Sequence, residues 1–380
     1  MFKKSCSVFF LIFLFLLFVS VTQVHAIDNP LIRPNNKIGI HILFPSELYD
    51  AAKLVNANGG DWGYLTVPIH ANDRDLEKWQ VFMREAKKQH LIPILRLATD
   101  ADQTNTTVWR RPKLADVIDF ATFLDQLDWP IKNRYVIVFN EVNRGDEWGG
   151  AANPAEYADI LSFAVTVFKS KNPDYFIISS GLDNAAPNQG ATYMNEYIFM
   201  QKMHDAVPGI FNQVDGLASH SYPNPGFSQP PSLQSNTGVG SFKFERDLAK
   251  SLSGKDLPTF ITETGWSADT VSEEKRIQYY QEAFATIWND PSIVAITPFL
   301  FDARSGPFQK FSFLTETGLV TKQYEMLRDL PKIKGVPLMP VKVLAAETSK
   351  TQPDKKVSKP ETGFSFAKMV QGFLAKLKGV

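Results

Sequence analysis

From Lys37 onward the chain alternates between two textures. Short, β-branched apolar runs are followed by longer stretches in which apolar residues return every three or four positions. The first pattern is that of strands covered on both faces, the second that of amphipathic helices. Strands are predicted over 37–43, 64–69, 91–98, 135–139, 175–180, 214–222, 259–263 and 293–301. Helices are predicted over 46–56, 73–89, 114–127, 154–170, 193–206, 242–252, 272–288 and 322–330. Leu76, Trp79, Val81, Phe82 and Ala86 form the stripe of the second helix. Ser46 and Ser272 stand as caps, and Pro154 opens a helix where a first-turn proline is tolerated. Strict alternation of eight strands with eight helices predicts an α/β fold, the closed parallel (β/α)8 TIM barrel, as one domain over 27–340. The alternative is an open doubly wound sheet, but no glycine-rich phosphate fingerprint follows the first strand.

The two ends break the pattern. Lys3 and Lys4 precede an almost wholly apolar run, Val8 to Val19, and Val24-His25-Ala26 has the small-x-small form of a cleavage site. Residues 1–26 therefore read as a secretory signal peptide cut after Ala26, and the chain as secreted or envelope-associated. The alternative is an uncleaved anchor, for which the run is short. Residues 341–363 carry prolines, lysines and few apolar side chains, as a flexible linker does. In 364–380, Phe366, Met369, Val370, Phe373, Leu374 and Leu377 recur at helical spacing opposite Lys368, Gln371 and Lys378. This predicts a basic amphipathic helix suited to the barrel itself, a membrane surface or an acidic wall polymer.

Composition sharpens the picture in four ways. A hydrophobic content of 44% over 380 residues is ample for one large core. The formal net charge is zero, which gives no reason to expect nucleic acid as a partner. The single cysteine, Cys6, lies in the signal segment, so the exported chain would hold together by packing without a disulfide. The aromatic content, 12%, is high, and sugar-binding clefts are one explanation of it.

The candidate chemistry sits at two strand ends. Arg134-Tyr-Val-Ile-Val-Phe139 runs into Asn140 and Glu141, and Thr259-Phe-Ile-Thr262 runs into Glu263, Thr264, Gly265 and Trp266. A carboxylate at the mouth of an apolar strand is partly desolvated, which raises its pKa and suits a general acid. In a barrel the chemistry lies at the C-terminal strand ends, and strands four and seven face each other across the mouth. Two carboxylates across a cleft are the usual equipment for cleaving a glycosidic bond, about 5–5.5 Å apart where one attacks the anomeric carbon. Trp266 and Trp148, just beyond the two glutamates, are candidate platforms for sugar faces. His41 is expected to be a core histidine.

On these residues the sequence resembles the clan A glycoside hydrolases, retaining (β/α)8 enzymes with glutamates on strands four and seven. The likeness covers Lys37 to Leu330. Phe139-Asn140-Glu141 is similar to the clan's Asn-Glu, which implies Glu141 as acid/base and Asn140 as a ligand of the substrate 2-hydroxyl. Ile261-Thr262-Glu263 resembles the strand-seven motif, which implies Glu263 as nucleophile. By the same resemblance Tyr222 orients Glu263, His220 binds substrate and Arg96 keeps the nucleophile ionised. Val142 replaces a common proline, and Phe299 and Phe301 stand where a strand-eight tryptophan is usual. The family within the clan is thereby left open.

The expected activity is thus that of a monomeric, secreted O-glycosyl hydrolase acting on a β-linked oligo- or polysaccharide. No cofactor or metal is expected, since the six histidines do not cluster and no His-Glu-x-x-His occurs. The absence of Gly-x-Ser-x-Gly argues against a serine esterase. The alternative function is an exported barrel that binds glycan or cell wall without cutting it.

Overall fold

The computed structural model describes residues 27–303 and 306–340. The signal segment, the linker and the basic helix expected at the two ends lie outside them. Eight parallel strands run in sequence order around one sheet: β1 (Gly39–His41), β2 (Gly63–His70), β3 (Leu91–Ala98), β4 (Arg134–Ile137), β5 (Tyr175–Ser179), β6 (Gly216–His220), β7 (Thr259–Glu263) and β8 (Ile293–Ile296). The sheet returns on itself. Ile296 N donates to Lys37 O at 2.8 Å, His41 N to Pro298 O at 3.1 Å and Phe301 N to His41 O at 2.8 Å. Helices alternate with the strands and cover the outside, so the fold is the expected (β/α)8 barrel.

Side chains alternate across each strand, and two separate apolar layers result. Inside the barrel, Tyr64, Ile92, Ile94, Tyr135, Phe176 and Phe260 fill the lower interior. Between sheet and helices lies the larger cluster, with Trp79, Phe120, Phe163, Phe168, Trp266 and Trp288. Burying one such aromatic is worth about 1.5–3 kcal/mol, and no helix among the described residues is long and apolar enough to cross a membrane.

Several element ends differ from expectation. Ser46 caps nothing: a 3-10 turn over Pro45–Glu47 leads into the helix Leu48–Val55 without a side-chain cap. The fifth helix begins at Glu196 under an Asn195 cap, and a short helix, Ile210–Gln213, follows it. The fourth strand ends at Ile137, two residues early. Phe139 and Glu141 then take positive φ, 68° and 38°. Such conformations cost a non-glycine residue about 1–3 kcal/mol and collect at functional sites.

Candidate active site

The site grows out of the inward rows of four strands. In β3, Ile92 and Ile94 fill the interior and Arg96, two residues on, points into the mouth. Along β6 and its extension the inward row is Ala218, His220 and Tyr222, while Ser219 and Ser221 face the helices. Pairing between β6 and β7 slips after Ser219, so that His220 lies opposite Glu263 instead of Thr262. Such bulges re-aim side chains beside active sites. At β4 the positive-φ kink turns Phe139 away to pack against Trp148 and leaves Asn140 and Glu141 on the cleft.

These residues form one hydrogen-bonded network. Arg96 Nη1 donates to Glu263 Oε1 and to Asn140 Oδ1, both at 2.6 Å. Tyr222 Oη donates to Glu263 Oε2 at 3.0 Å. His220 Nδ1 lies 2.9 Å from Glu141 Oε1 and 3.8 Å from Glu263 Oε2. One oxygen of Glu141 and one of Glu263 are within 4.8 Å of each other and of the His220 ring. Arg144 Nη1 reaches the other Glu141 oxygen at 3.3 Å and Asp183 at 3.5 Å.

The electrostatics follow from this packing. Burial alone would raise the Glu263 pKa, but His220 and Arg96 nearby, with the Tyr222 hydrogen bond, bring it down to about 2. Burial disfavours a charged His220, yet Glu263 and Glu141 outweigh it and its pKa is raised. His41 lies below, fully buried, with Nε2 3.7 Å from Glu263. Burial and Arg96 lower its pKa to about 3, so it is neutral. Glu141, His220 and Glu263 offer atoms at ligand spacing for a metal ion. Those atoms are already engaged by Arg96, Tyr222 and one another, and the guanidinium 2.6 Å from Glu263 opposes a further cation.

The cleft above the network holds about 690 Å³. Arg96, Asn140, Glu141, Tyr222 and Glu263 line it. His220 does not. It is 1% exposed and wedged between the glutamates, so it contacts the two carboxylates and not the open cleft. The two tryptophans are corrected more sharply, since both are wholly buried. Trp266 packs among Tyr279, Tyr280 and Trp288 and donates to Gln229 O at 2.8 Å. Trp148 packs on Phe139 and Tyr157 and donates to Glu156 at 3.1 Å. After each glutamate the chain turns outward over the rim, and the ring that follows enters the sheet–helix layer.

Other residues occupy the places expected of those rings. Trp109 stacks on His70 at 5.5 Å on one side of the cleft, and Phe44, Phe227, Phe299, Phe308 and Phe311 line the other. Phe301 is buried against Tyr324. Glu147 and Asp183 add two carboxylates. Burial and the nearby Glu141 raise the Glu147 pKa to about 7 despite Arg96, Asn140 and Arg144. All lie on loops after strand ends, the one signal that marks them in the sequence.

With this geometry in hand, the fold can be set beside known structures. It is similar to a family 39 glycoside hydrolase from Bacteroides cellulosilyticus, at TM-score 0.57 and 16% identity over 80% of this chain and 65% of that one. It is also similar to a GH5_18 structure from Streptomyces cattleya in complex with GlcNAc, at TM-score 0.55 and 16% identity over 78% and 80%. A GH39 β-xylosidase from Caulobacter crescentus gives TM-score 0.53 and 16% identity over 80% and 72%. The chain thus has the barrel fold of these hydrolases, and it spans just under two thirds of the Bacteroides structure. No protein-family model matches the sequence, and no curated protein does.

Proposed function

We propose that this chain is a retaining glycoside hydrolase, with Glu263 as nucleophile and Glu141 as acid/base. The observation that carries the reading is the separation of the two carboxylates, with oxygens within 4.8 Å. Retaining enzymes hold the pair about 5–5.5 Å apart, whereas inverting ones leave about 6.5–9.5 Å for a water. Glu263, kept ionised by Arg96, His220 and Tyr222, attacks the anomeric carbon while Glu141 gives its proton to the leaving oxygen. The sugar is then esterified to Glu263. Glu141 next takes a proton from water, the hydroxide attacks the same carbon, and Glu263 leaves as carboxylate. His220, held between the two glutamates that raise its pKa, steadies both through these changes of charge. Asn140, fixed by Arg96, is aimed at a sugar hydroxyl.

The substrate is a β-linked glycoside, in keeping with neighbours described as a β-xylosidase and as a complex with GlcNAc. Export through residues 1–26 and envelope contact through the basic 364–380 segment belong to the same reading. The test is sugar release from β-glucans, mannans, xylans and galactans by wild type and Glu263→Ala side by side. Cleavage by wild type alone supports the reading and names the polymer. Equal binding of a glycan by both proteins, without cleavage, would turn it to a non-catalytic glycan-binding barrel.

A further inference from the structure

The two walls of the cleft differ in kind. On the side of β4 and β5 stand Asn140, Glu141, Arg144, Glu147 and Asp183, all able to meet hydroxyls. On the side of β8 and β1, with the loop after β6, stand Leu43, Phe44, Phe227, Phe299, Phe308 and Phe311. Leu43, Phe227, Phe299 and Phe311 belong to an apolar cluster of their own at the barrel mouth, separate from both core layers, and Phe308 packs on it through Phe299. Its rings do not lie flat along the cleft. Phe299 meets Phe308 at 89° and 5.2 Å, Phe227 meets Phe311 at 82° and 5.1 Å, and Phe299 meets Phe311 at 70° and 6.1 Å. At the rim Phe44 is 59% exposed and Phe308 48% exposed.

A pyranose stacks its C–H face on one flat ring and needs partners for the hydroxyls around its edge. A herringbone of phenyl rings offers neither. It would strip water from hydroxyls and return no hydrogen bond, at a cost for each group. The one polar tip in the cluster, the Tyr222 hydroxyl, is already given to Glu263. The wall is continuous with the reacting pair through Tyr222, so a group that extends from the sugar toward β8 and β1 lies along it.

We propose that the substrate is an amphiphilic glycoside, whose sugar meets the polar wall and whose alkyl or aryl group lies on the phenylalanine wall. This names the substrate class for the hydrolase reading. The apolar group has two possible sources, the aglycone or an acyl chain esterified to the sugar.

The test compares full-length wild type on methyl and octyl β-glycosides of glucose, galactose, mannose and xylose, kept below micellar concentration. Methyl 6-O-octanoyl-β-glycosides of the hexoses form the second arm. On whichever sugar is cleaved, kcat/KM should favour an eight-carbon chain over methyl by at least about tenfold, since each buried methylene contributes severalfold. Preference for octyl assigns the wall to the aglycone, and preference for octanoyl assigns it to the acyl group. The preference should shrink in Phe44→Ser and Phe308→Ser, both at exposed positions. Equal kcat/KM for methyl and eight-carbon substrates overturns the proposal. Calorimetric binding of the same compounds separates it from the hydrolase reading. Chain-length-dependent binding without turnover supports the wall, and overturns the hydrolase where the polysaccharide panel is also left uncut; chain-independent or absent binding overturns the wall.

Discussion

Arg96 Nη1 lies 2.6 Å from Glu263 Oε1, so a strand-three cation meets a strand-seven anion across the barrel mouth. Neither is stable in place alone. A part-buried guanidinium and a buried carboxylate each carry a desolvation cost that their pairing helps to offset, together with His220 and Tyr222 on the carboxylate and Asn140 on the guanidinium. With His220 and the Tyr222 hydrogen bond, the pair explains why a glutamate with 7% exposure stays ionised.

Arg96→Met should therefore lower kcat/KM by about a hundredfold or more. The acid limb of the pH profile should also move to higher pH, because burial would then act on Glu263 with less to oppose it. An unmoved limb would show that Arg96 does not set the ionisation of Glu263. Stability carries the same signature. The Glu263 pKa, about 2, lies below the unfolded value of about 4.3. Its contribution is present above that value and is lost as pH falls toward 2. Urea unfolding between pH 5 and 2 should show this loss in wild type and lack it in Glu263→Gln.

Glu147 titrates near neutrality, at about 7, because burial and Glu141 both disfavour its charge. Above that pH it adds a negative charge close to Glu141. Glu147→Gln should remove one inflection near pH 7 from the kcat/KM profile. A profile identical to wild type would mean that its charge does not reach the reacting atoms.

Glu245 clamps β6 from behind. Its Oε1 accepts from Ser219 Oγ at 2.8 Å and from Ser241 Oγ at 2.9 Å, while Ser219 and Ser221 meet at 2.7 Å. Burial raises its pKa to about 7, against the Ser219 and Ser241 bonds and His220. A carboxyl whose folded pKa is raised stabilises below its unfolded pKa and loses that contribution as pH rises through the folded one. Glu245→Gln, which cannot ionise, should therefore gain stability relative to wild type at pH 8 but not at pH 4. Parallel thermal melts at the two pH values decide it.

Trp266→Ala should cost about 3–5 kcal/mol of stability, as expected for a wholly buried indole. It should do so without a selective rise in KM once the protein is held below its melting temperature. Trp148→Ala should behave alike. A rise in KM with unchanged melting would restore either ring as a sugar platform.

The sequence by itself determined the barrel and the place of both glutamates at its mouth. Period-two and period-3.6 patterns are local, and eight alternations leave few ways to bury every strand. Glu141 and Glu263 were legible because each ends an apolar run, and in a parallel barrel every such end reaches one face. What tertiary structure decided is direction. The kink after Ile137 sends Phe139 outward and leaves Asn140 and Glu141 on the cleft, although the pattern reads as strand to Phe139. The slip after Ser219 sets His220 against both glutamates, and no periodicity encodes a one-residue shift. Trp148 and Trp266 looked like sugar platforms because they follow the glutamates. Sequence gives a residue's distance along the chain, not the side of the rim on which its ring comes to rest. The phenylalanine wall was hidden for a related reason. Its rings come from loops after β1, β6 and β8, far apart in sequence, and closure of the barrel is what gathers them.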